Sequence, residues 1–227
     1  MFRRSITALA ITLPILFVLY CENFWIFSLL IFLVCTMAFY EWIANNFKKN
    51  VFGFLLILNF GFWSIFFIYS SQTAYLFYGI IIINTAIFDS FAYIIGSRLG
   101  KTYISKKISP NKTLEGLIGG LFGSLLFVLL CANTFNLIFS WSLVLLIGCL
   151  FAFLGDLLIS YFKRQSGIKD TGSILPGHGG ILDRIDSHLI AVPALVIIQF
   201  STGFLVLFWK IFFYLEQQEV LAKASWA

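Results

Sequence analysis

The residue types best suited to chemistry are concentrated in one segment of this chain, residues 160–186. Its charged and imidazole side chains, in chain order, are Lys163, Arg164, Lys169, Asp170, His178, Asp183, Arg184 and Asp186. Cations offset the charge of polyphosphates, carboxylates bind metal ions, and glycines between them let backbone N–H groups approach phosphate oxygens. This mixture predicts a site for polyphosphate chemistry.

Three aspartates are the candidate metal ligands. Asp183 and Asp186 are spaced i, i+3, so a helix that begins near Ile181 places both on one face. Asp156 lies near the end of the preceding apolar run and can approach from the adjacent span. Carboxylates without His or Cys partners select a hard ion that prefers oxygen, so we expect Mg²⁺ and leave a second cation open.

A glycine-rich stretch, residues 177–180, directly precedes that helix. Its flexible backbone and the helix N-terminus together make a candidate anion cradle, which includes His178, Gly179 and Gly180. Arg184 lies between the two aspartates, where it either neutralises a phosphate or pairs with the carboxylates, and the sequence leaves both roles open.

The elements that position these residues are membrane spans. Hydrophobic residues make up 60% of the 227-residue chain and charged residues only 11%, a balance typical of a polytopic membrane protein. We therefore predict an all-α bundle of about seven transmembrane helices. The apolar runs that define them are residues 5–20, 24–44, 51–69, 75–95, 114–132, 139–162 and 188–209. We expect residues 1–74 to form N-terminal spans and residues 75–227 a catalytic transmembrane domain.

Basic residues set the orientation of the bundle. All of them except Lys210 and Lys223 fall on one side when the predicted spans are threaded through a membrane. By the positive-inside rule this side is cytoplasmic, and it includes the N-terminus and two polar loops, at about residues 96–113 and 163–187. The net charge of +5 follows from this bias, and no nucleic-acid motif is present, so we expect no nucleic-acid partner.

Charged residues inside spans are costly and usually functional. Asp89 and Asp156 are two such residues, and each is either functional or a structural carboxylate paired with a neighbouring Lys or Arg. Glu41 ends the second span, and we interpret it as an interfacial anchor.

The fifth span and the loop before it hold further candidates. Thr113 is a candidate cap for the helix that follows, whereas Ser109 and Lys112 could face a phosphate. Overlapping GxxxG pairs, which let helices approach closely, are formed by Gly116, Gly119, Gly120 and Gly123. These glycines either pack within one chain or form the seam of a homodimer.

Residues 160–186 resemble the signature motif of the phosphatidate cytidylyltransferases, also called CDP-diacylglycerol synthases, at each of its fixed positions. The matching positions are Ser160, Lys163, Arg164, Lys169, Asp170, Pro176, His178, Gly179, Gly180, Asp183, Arg184 and Asp186. Two further stretches, residues 89–101 and 109–116, are similar to other parts of the same family.

The resemblance implies a nucleotidyltransferase of phospholipid biosynthesis, which transfers CMP from CTP to phosphatidate and forms CDP-diacylglycerol and pyrophosphate. It implies that Asp156, Asp183 and Asp186 bind Mg²⁺, and that these aspartates and Lys169 are catalytic. The residues that it implies for substrate binding are Asp89, Lys101, Ser109, Lys112, Lys163, Arg164, His178, Gly179, Gly180 and Arg184. A phosphate nucleophile is already ionised, so we expect His178 to bind phosphate or shape the loop, not to act as a base. The expected location is the inner or plasma membrane of a bacterium, with the active site on the cytoplasmic side.

Two other classes of function stay open. Another CTP-dependent lipid enzyme, such as a polyprenol kinase or a CDP-archaeol synthase, would differ in its product. A cation- or phosphate-coupled transporter would use Asp89 and Asp156, but transporters usually carry duplicated halves, and no internal repeat is evident in this sequence.

Overall fold

The computed structural model describes residues 2–71, 73–135, 139–172 and 179–201, which are called the described residues below. These residues form helices and one β-hairpin. In chain order the elements are α1 Phe2–Cys21, α2 Phe24–Ala44, α3 Asn50–Ser70, α4 Ala74–Leu99, β1 Tyr103–Ser105, β2 Ser109–Thr113, α5 Leu114–Phe135, α6 Phe139–Gln165 and α7 Leu182–Ile185. After a turn at residues 186–187 the chain is helical again over residues 188–201, and we call Leu182–Ser201 as a whole the last span.

Six helical segments in the described residues are long and apolar enough to cross a membrane. They are Phe24–Ala44, Asn50–Ser70, Ala74–Leu99, Leu114–Phe135, Trp141–Gln165 and Leu182–Ser201. The first predicted span corresponds to α1, in which Thr12–Cys21 is a shorter apolar helix. The prediction of an all-α, polytopic membrane bundle is therefore confirmed.

The last span begins at Leu182, close to the helix start near Ile181 that the spacing of the aspartates predicts and earlier than the apolar run that starts at residue 188. Its first turn contains charged residues and therefore lies outside the apolar run. The structure pairs Asp183 with Lys163 and with two backbone N–H groups, so the helical turn can hold its charge at the end of the bundle. Hydrophobicity alone cannot predict a helix start that depends on such partners.

Side-chain caps define two of the helix starts. The Oδ1 atom of Asn23 accepts hydrogen bonds from the backbone N–H groups of Trp25, at 3.0 Å, and Ile26, at 3.1 Å, at the start of α2. The hydroxyl of Thr113 accepts a hydrogen bond from the backbone N–H of Gly116, at 3.1 Å, at the start of α5. The predicted capping role of Thr113 is therefore confirmed.

A short antiparallel hairpin, β1–β2, joins α4 to α5, and the sequence analysis did not predict it. Glu115, in the first turn of α5, binds the two residues that precede β1. The carboxylate of Glu115 accepts hydrogen bonds from the backbone N–H groups of Lys101 and Thr102, at 3.1 Å in each case. The hairpin is thereby tied to the end of the bundle, and its second strand carries Lys112.

The glycines of α5 lie against α4. A Cβ atom placed on Gly119 would come within 2.5 Å of the Ile95 side chain, and one on Gly120 within 2.8 Å of the Phe88 ring. Gly116 and Gly123 are similarly crowded by α4. These glycines therefore serve close packing within one chain, which was one of the two predicted alternatives.

A buried polar network joins α4, α5 and α6. Ser124 donates a hydrogen bond to Oδ1 of Asn84, at 2.7 Å, and the Asn84 amide donates to the backbone carbonyl of Leu145, at 3.1 Å. The thiol of Cys149 lies 3.2 Å from the Ser124 hydroxyl. Polar groups in a membrane bundle need such internal partners, and this network fixes α6, which carries Asp156.

Candidate active site

The two long polar loops lie side by side at one end of the bundle. The guanidinium of Arg164, at the end of α6, donates a hydrogen bond to the backbone carbonyl of Ile108 in the hairpin, at 3.2 Å. The hydroxyl of Ser166 lies 3.4 Å from the carbonyl of Asn46, in the connection between α2 and α3. Three connections of the chain therefore meet at the same end, as the distribution of basic residues predicts.

A cavity of about 340 Å³ opens beside the hairpin, between α4, α5, α6 and the last span. Of the predicted site residues, it is lined by Asp89, Ser109, Lys112, Asp156, Asp183 and Asp186. Apolar side chains, among them Phe88 and Phe153, form part of its wall. The fold thus brings together charged residues from α4, the hairpin, α6 and the last span.

Lys112 and Asp156 form an ion pair across this cavity. The Lys112 ammonium lies 2.6 Å from Oδ2 of Asp156 and 4.6 Å from the centre of the Phe153 ring. The other carboxylate oxygen of Asp156 accepts a hydrogen bond from Ser160, at 3.2 Å. Asp156 is therefore paired with a lysine, which is the structural alternative that the sequence left open for this aspartate.

Lys163 lies between the other two aspartates. Its side chain is buried, and its ammonium lies 2.9 Å from Oδ1 of Asp183 and 4.0 Å from Oδ2 of Asp186. Oδ2 of Asp183 also accepts hydrogen bonds from the backbone N–H groups of Thr171, at 2.8 Å, and Gly180, at 3.0 Å. Asp183 therefore both faces the cavity and holds the loop that leads to the last span.

The charges in and beside the cavity do not balance. Four carboxylates line it, whereas the lysine ammonium groups that contact them are Lys112 and Lys163. The carboxylates therefore outnumber these lysines by two. As arranged here, no group of three or more His, Cys, Asp or Glu side chains in the described ranges is close enough to hold a metal ion.

Glu41 is a residue of this region that sequence reasoning misassigned. It is not an interfacial anchor, because its side chain is buried against the start of the last span. Its carboxylate accepts hydrogen bonds from the backbone N–H groups of Ile181 and Leu182 and from the hydroxyl of Thr171, all at 2.8 Å. The N-terminus predicted to bind a phosphate therefore binds the Glu41 carboxylate in this structure. A signal was available, since a carboxylate in an apolar run needs hydrogen-bond donors when it is buried.

Other predicted site residues lie outside the cavity. Arg164 donates hydrogen bonds to the backbone carbonyls of Ile108 and Ile168, and Lys101 and Lys169 are exposed. Arg184 lines a separate, mostly apolar cavity of about 300 Å³. Gly179 has a left-handed φ of 82° and lies against Asp183. His178 lies outside the described residues.

These features define a polytopic membrane protein with a charged cavity at one end of its helices. Residues 44–202 match the sequence model of the cytidylyltransferase family. The match covers well over half of the chain, and the chain belongs to this family.

Several curated bacterial proteins named phosphatidate cytidylyltransferase are similar to this chain. The one from Staphylococcus haemolyticus (strain JCSC1435) is 52% identical over 113 residues, which is 48% of this chain and 44% of the relative. The one from Staphylococcus aureus (strain COL) is 49% identical over 115 residues, again 48% of this chain and 44% of the relative. That from Staphylococcus epidermidis (strain ATCC 35984) is 46% identical over 117 residues, with coverages of 50% and 45%. The chain thus spans about half the length of the curated relatives it matches.

Proposed function

We propose that this protein transfers CMP from CTP to phosphatidate and forms CDP-diacylglycerol and pyrophosphate. The observation that carries the proposal is the cavity in which Asp89, Lys112, Asp156, Asp183 and Asp186 meet, in a chain of the cytidylyltransferase family. Its volume of about 340 Å³ lies in the range of roughly 300–1,000 Å³ that is typical of small-molecule sites. The names of the relatives supply the choice of substrates.

The reaction needs positioning and charge neutralisation more than proton transfer. An ionised phosphate oxygen of phosphatidate forms a bond to the α-phosphorus of CTP, and the bond from that phosphorus to the bridging oxygen breaks. Pyrophosphate leaves with the bonding electrons. The nucleophile is ionised near neutral pH, so no general base is required, and the charge on the transferring group must be met by cations.

The lysines of the site are suited to this task. Lys112 and Lys163 each contact a cavity carboxylate, so each can exchange that contact for a phosphate oxygen of a substrate. Lys169 and Lys101 are exposed at the same end of the bundle, where they can meet phosphate groups that approach from solvent. We assign phosphate binding to these lysines. Ser109 lines the cavity, and we propose that its hydroxyl donates a hydrogen bond to a substrate phosphate.

The donor set of the cavity fits Mg²⁺ in chemistry, because the carboxylates offer the oxygen ligands that this ion prefers. We propose Asp156, Asp183 and Asp186 as the residues that hold the ion, with Asp89 beside them. A Mg²⁺ ion held there would interact with the CTP phosphates and stabilise the leaving pyrophosphate.

We propose the inner or plasma membrane of a bacterium as the location, with the cavity on the cytoplasmic side. The bacterial relatives and the basic residues at the cavity end of the bundle, such as Lys48, Lys49, Lys106 and Lys107, support this orientation. CTP is a cytoplasmic nucleotide, so this side also gives the enzyme access to its substrate.

An incorporation assay tests the proposal. The purified protein is incubated in mixed micelles of phosphatidate and detergent with Mg²⁺ and CTP that carries label on its α-phosphate. We expect label to enter CDP-diacylglycerol with release of one pyrophosphate per product. The Asp156→Asn variant, which keeps the size of the side chain, should lose at least about 100-fold in turnover. Phospho-lipid with release of CDP would indicate a kinase, and no lipid product would refute the proposal.

A further inference from the structure

A carboxylate outside the cavity is connected to two residues inside it. Glu41 lies in the last turn of α2, just before residue 44, at which the family match begins. Only 2% of its surface is exposed, and it is not among the residues that line the cavity. No Lys or Arg pairs with it in the described part of the chain. Its charge is therefore held by hydrogen-bond donors and by the helix N-terminus that it contacts.

Both oxygens of this carboxylate are used. Oε1 accepts from the backbone N–H of Ile181, and Oε2 accepts from the backbone N–H of Leu182 and from the hydroxyl of Thr171, all at 2.8 Å. These N–H groups belong to the start of the last span, where no preceding helical turn can satisfy them. Glu41 thus supplies the acceptors that the start of this span requires.

Nearby glycines make room for the carboxylate. A Cβ atom on Gly180 would collide with Oε2 of Glu41 and with the Thr171 hydroxyl. One on Gly172 would come within 3.2 Å of Oε1 of Glu41. The absence of side chains at Gly172 and Gly180 therefore lets the loop backbone come close to the Glu41 carboxylate.

The contacts continue from Glu41 to the cavity. Thr171 donates its hydroxyl to Glu41 and its backbone N–H to Asp183, at 2.8 Å in each case. Asn45, which follows α2, donates to the carbonyl of Thr171, at 2.5 Å. The end of α2 is therefore linked through one residue to Asp183, which lines the cavity.

We propose that Glu41 is a positioning residue of this site: it fixes the first turn of the last span so that Asp183 and Asp186 face the cavity. It does not contact the cavity itself, and it acts through Thr171, Ile181 and Leu182. The effect on catalysis rests on the proposed function, whereas the effect on the loop and the helix start does not.

Glu41→Gln is the sharpest variant, because it keeps the size of the side chain. Either orientation of the new amide places an NH₂ group opposite a backbone N–H donor, at Ile181 or at Leu182. Thr171→Val removes the hydroxyl donor at nearly constant volume, and Thr171→Ser restores it. Glu22→Gln is the matched control, since Glu22 is exposed in the turn between α1 and α2.

Hydrogen exchange measured by mass spectrometry gives a readout that does not depend on activity. In Glu41→Gln we expect faster exchange in peptides that cover residues 179–185 and no change in peptides that cover the hairpin, residues 101–113. Steady-state kinetics should show kcat lowered by at least about tenfold and a higher Mg²⁺ concentration for half-maximal activity. Thr171→Val should change both in the same direction, and Thr171→Ser and Glu22→Gln should resemble the wild type.

Unchanged exchange over residues 179–185 would overturn the inference, and so would an equal increase over the hairpin, because the latter indicates general loosening. A kcat and an Mg²⁺ dependence both within about twofold of the wild type would also overturn it. If the wild type forms no CDP-diacylglycerol, the proposed function fails, and the exchange comparison alone decides whether Glu41 positions the helix start.

Discussion

Asp183 and Asp186 line the same cavity but have different partners, so asparagine at each position should separate stability from activity. Asp183 contacts the Lys163 ammonium at 2.9 Å and accepts two backbone hydrogen bonds on its other oxygen. Asp186 lies 4.0 Å from the same ammonium and accepts a hydrogen bond from the backbone N–H of Ser187, at 2.8 Å. An asparagine keeps one carbonyl oxygen as an acceptor. At position 186 this oxygen can accept the hydrogen bond from Ser187, but at position 183 it cannot replace both the ion pair with Lys163 and the two backbone hydrogen bonds.

The difference in stability follows from burial. Removing one partner of a buried ion pair costs about 3–5 kcal/mol, and we expect the lower end here, because Asp186, at 4.0 Å, still compensates the Lys163 charge in part. The exposed fractions of the Lys163 and Asp183 side chains are 10% and 5%, so solvent screens this pair little. At Asp186 the retained hydrogen bond limits the expected loss to about 1 kcal/mol. For a chain of this length, about 2–4 °C of Tm corresponds to 1 kcal/mol, so Asp183→Asn should lower Tm by about 6 °C or more.

The difference in Tm between the two variants is measured by thermal unfolding in detergent, monitored by tryptophan fluorescence. EDTA is present, so that no bound metal contributes to stability. Asp170→Asn is the control for stability, because Asp170 is exposed in the same loop. Both Asp183→Asn and Asp186→Asn should lower kcat by at least about 100-fold if their carboxylates act in catalysis. Equal losses of Tm in the two variants would refute the assignment of partners, and near-wild-type turnover in both would refute the catalytic assignment.

Three further predictions follow from individual contacts and from the charge distribution. Thr113→Val should lower the stability of the protein by about 0.5–2 kcal/mol in thermal unfolding, whereas Thr113→Ser should not, because only the serine keeps the cap of α5. Lys169→Ala should lower kcat more than it raises either KM, whereas all three values within about twofold of the wild type would mean that Lys169 only anchors the span to lipid. In a cysteine-free variant, a single cysteine at Ser105 should react with a membrane-impermeant thiol reagent only from the cytoplasmic side, and one at Ser71 only from outside; labelling of both from one side would contradict the topology.

The sequence predicted the parts of the fold that depend on long patterns. Apolar runs identified the spans, because a membrane requires about 20 consecutive apolar residues for each crossing helix. The i, i+3 spacing of Asp183 and Asp186 predicted a shared face, and both residues do line one cavity with Asp156. These features depend on local periodicity, which a single sequence displays directly.

The features that sequence reasoning missed depend on partners that are distant in the chain. Glu41 hydrogen-bonds to Leu182, at a sequence separation of 141 residues, and no local pattern encodes that contact. The contacts of Lys163 with Asp183 and Asp186, about 20 residues further along the chain, were not predicted either. The hairpin was missed because its strands, of three and five residues, are too short to show a clear alternation of apolar and polar side chains.

Glu41 and Glu115 have the same physical role at two places in the molecule. Each lies at the end of a span and accepts hydrogen bonds from backbone N–H groups of a polar segment: Glu115 from Lys101 and Thr102, and Glu41 from Ile181 and Leu182. At Glu41, which is buried, the same N–H groups would be costly to leave without an acceptor.

A carboxylate fixed to a rigid helix satisfies these groups and at the same time determines where the polar segment lies. The segment held by Glu115 leads to Lys112, and the segment held by Glu41 leads to Asp183, so these two glutamates place residues of opposite charge in one cavity. Because neither glutamate lines that cavity, they can fix its geometry without competing for a phosphate or a cation that enters it. The same arrangement accounts for Gly172 and Gly180 beside Glu41, because a side chain at Gly180 would collide with the carboxylate that holds the start of the last span.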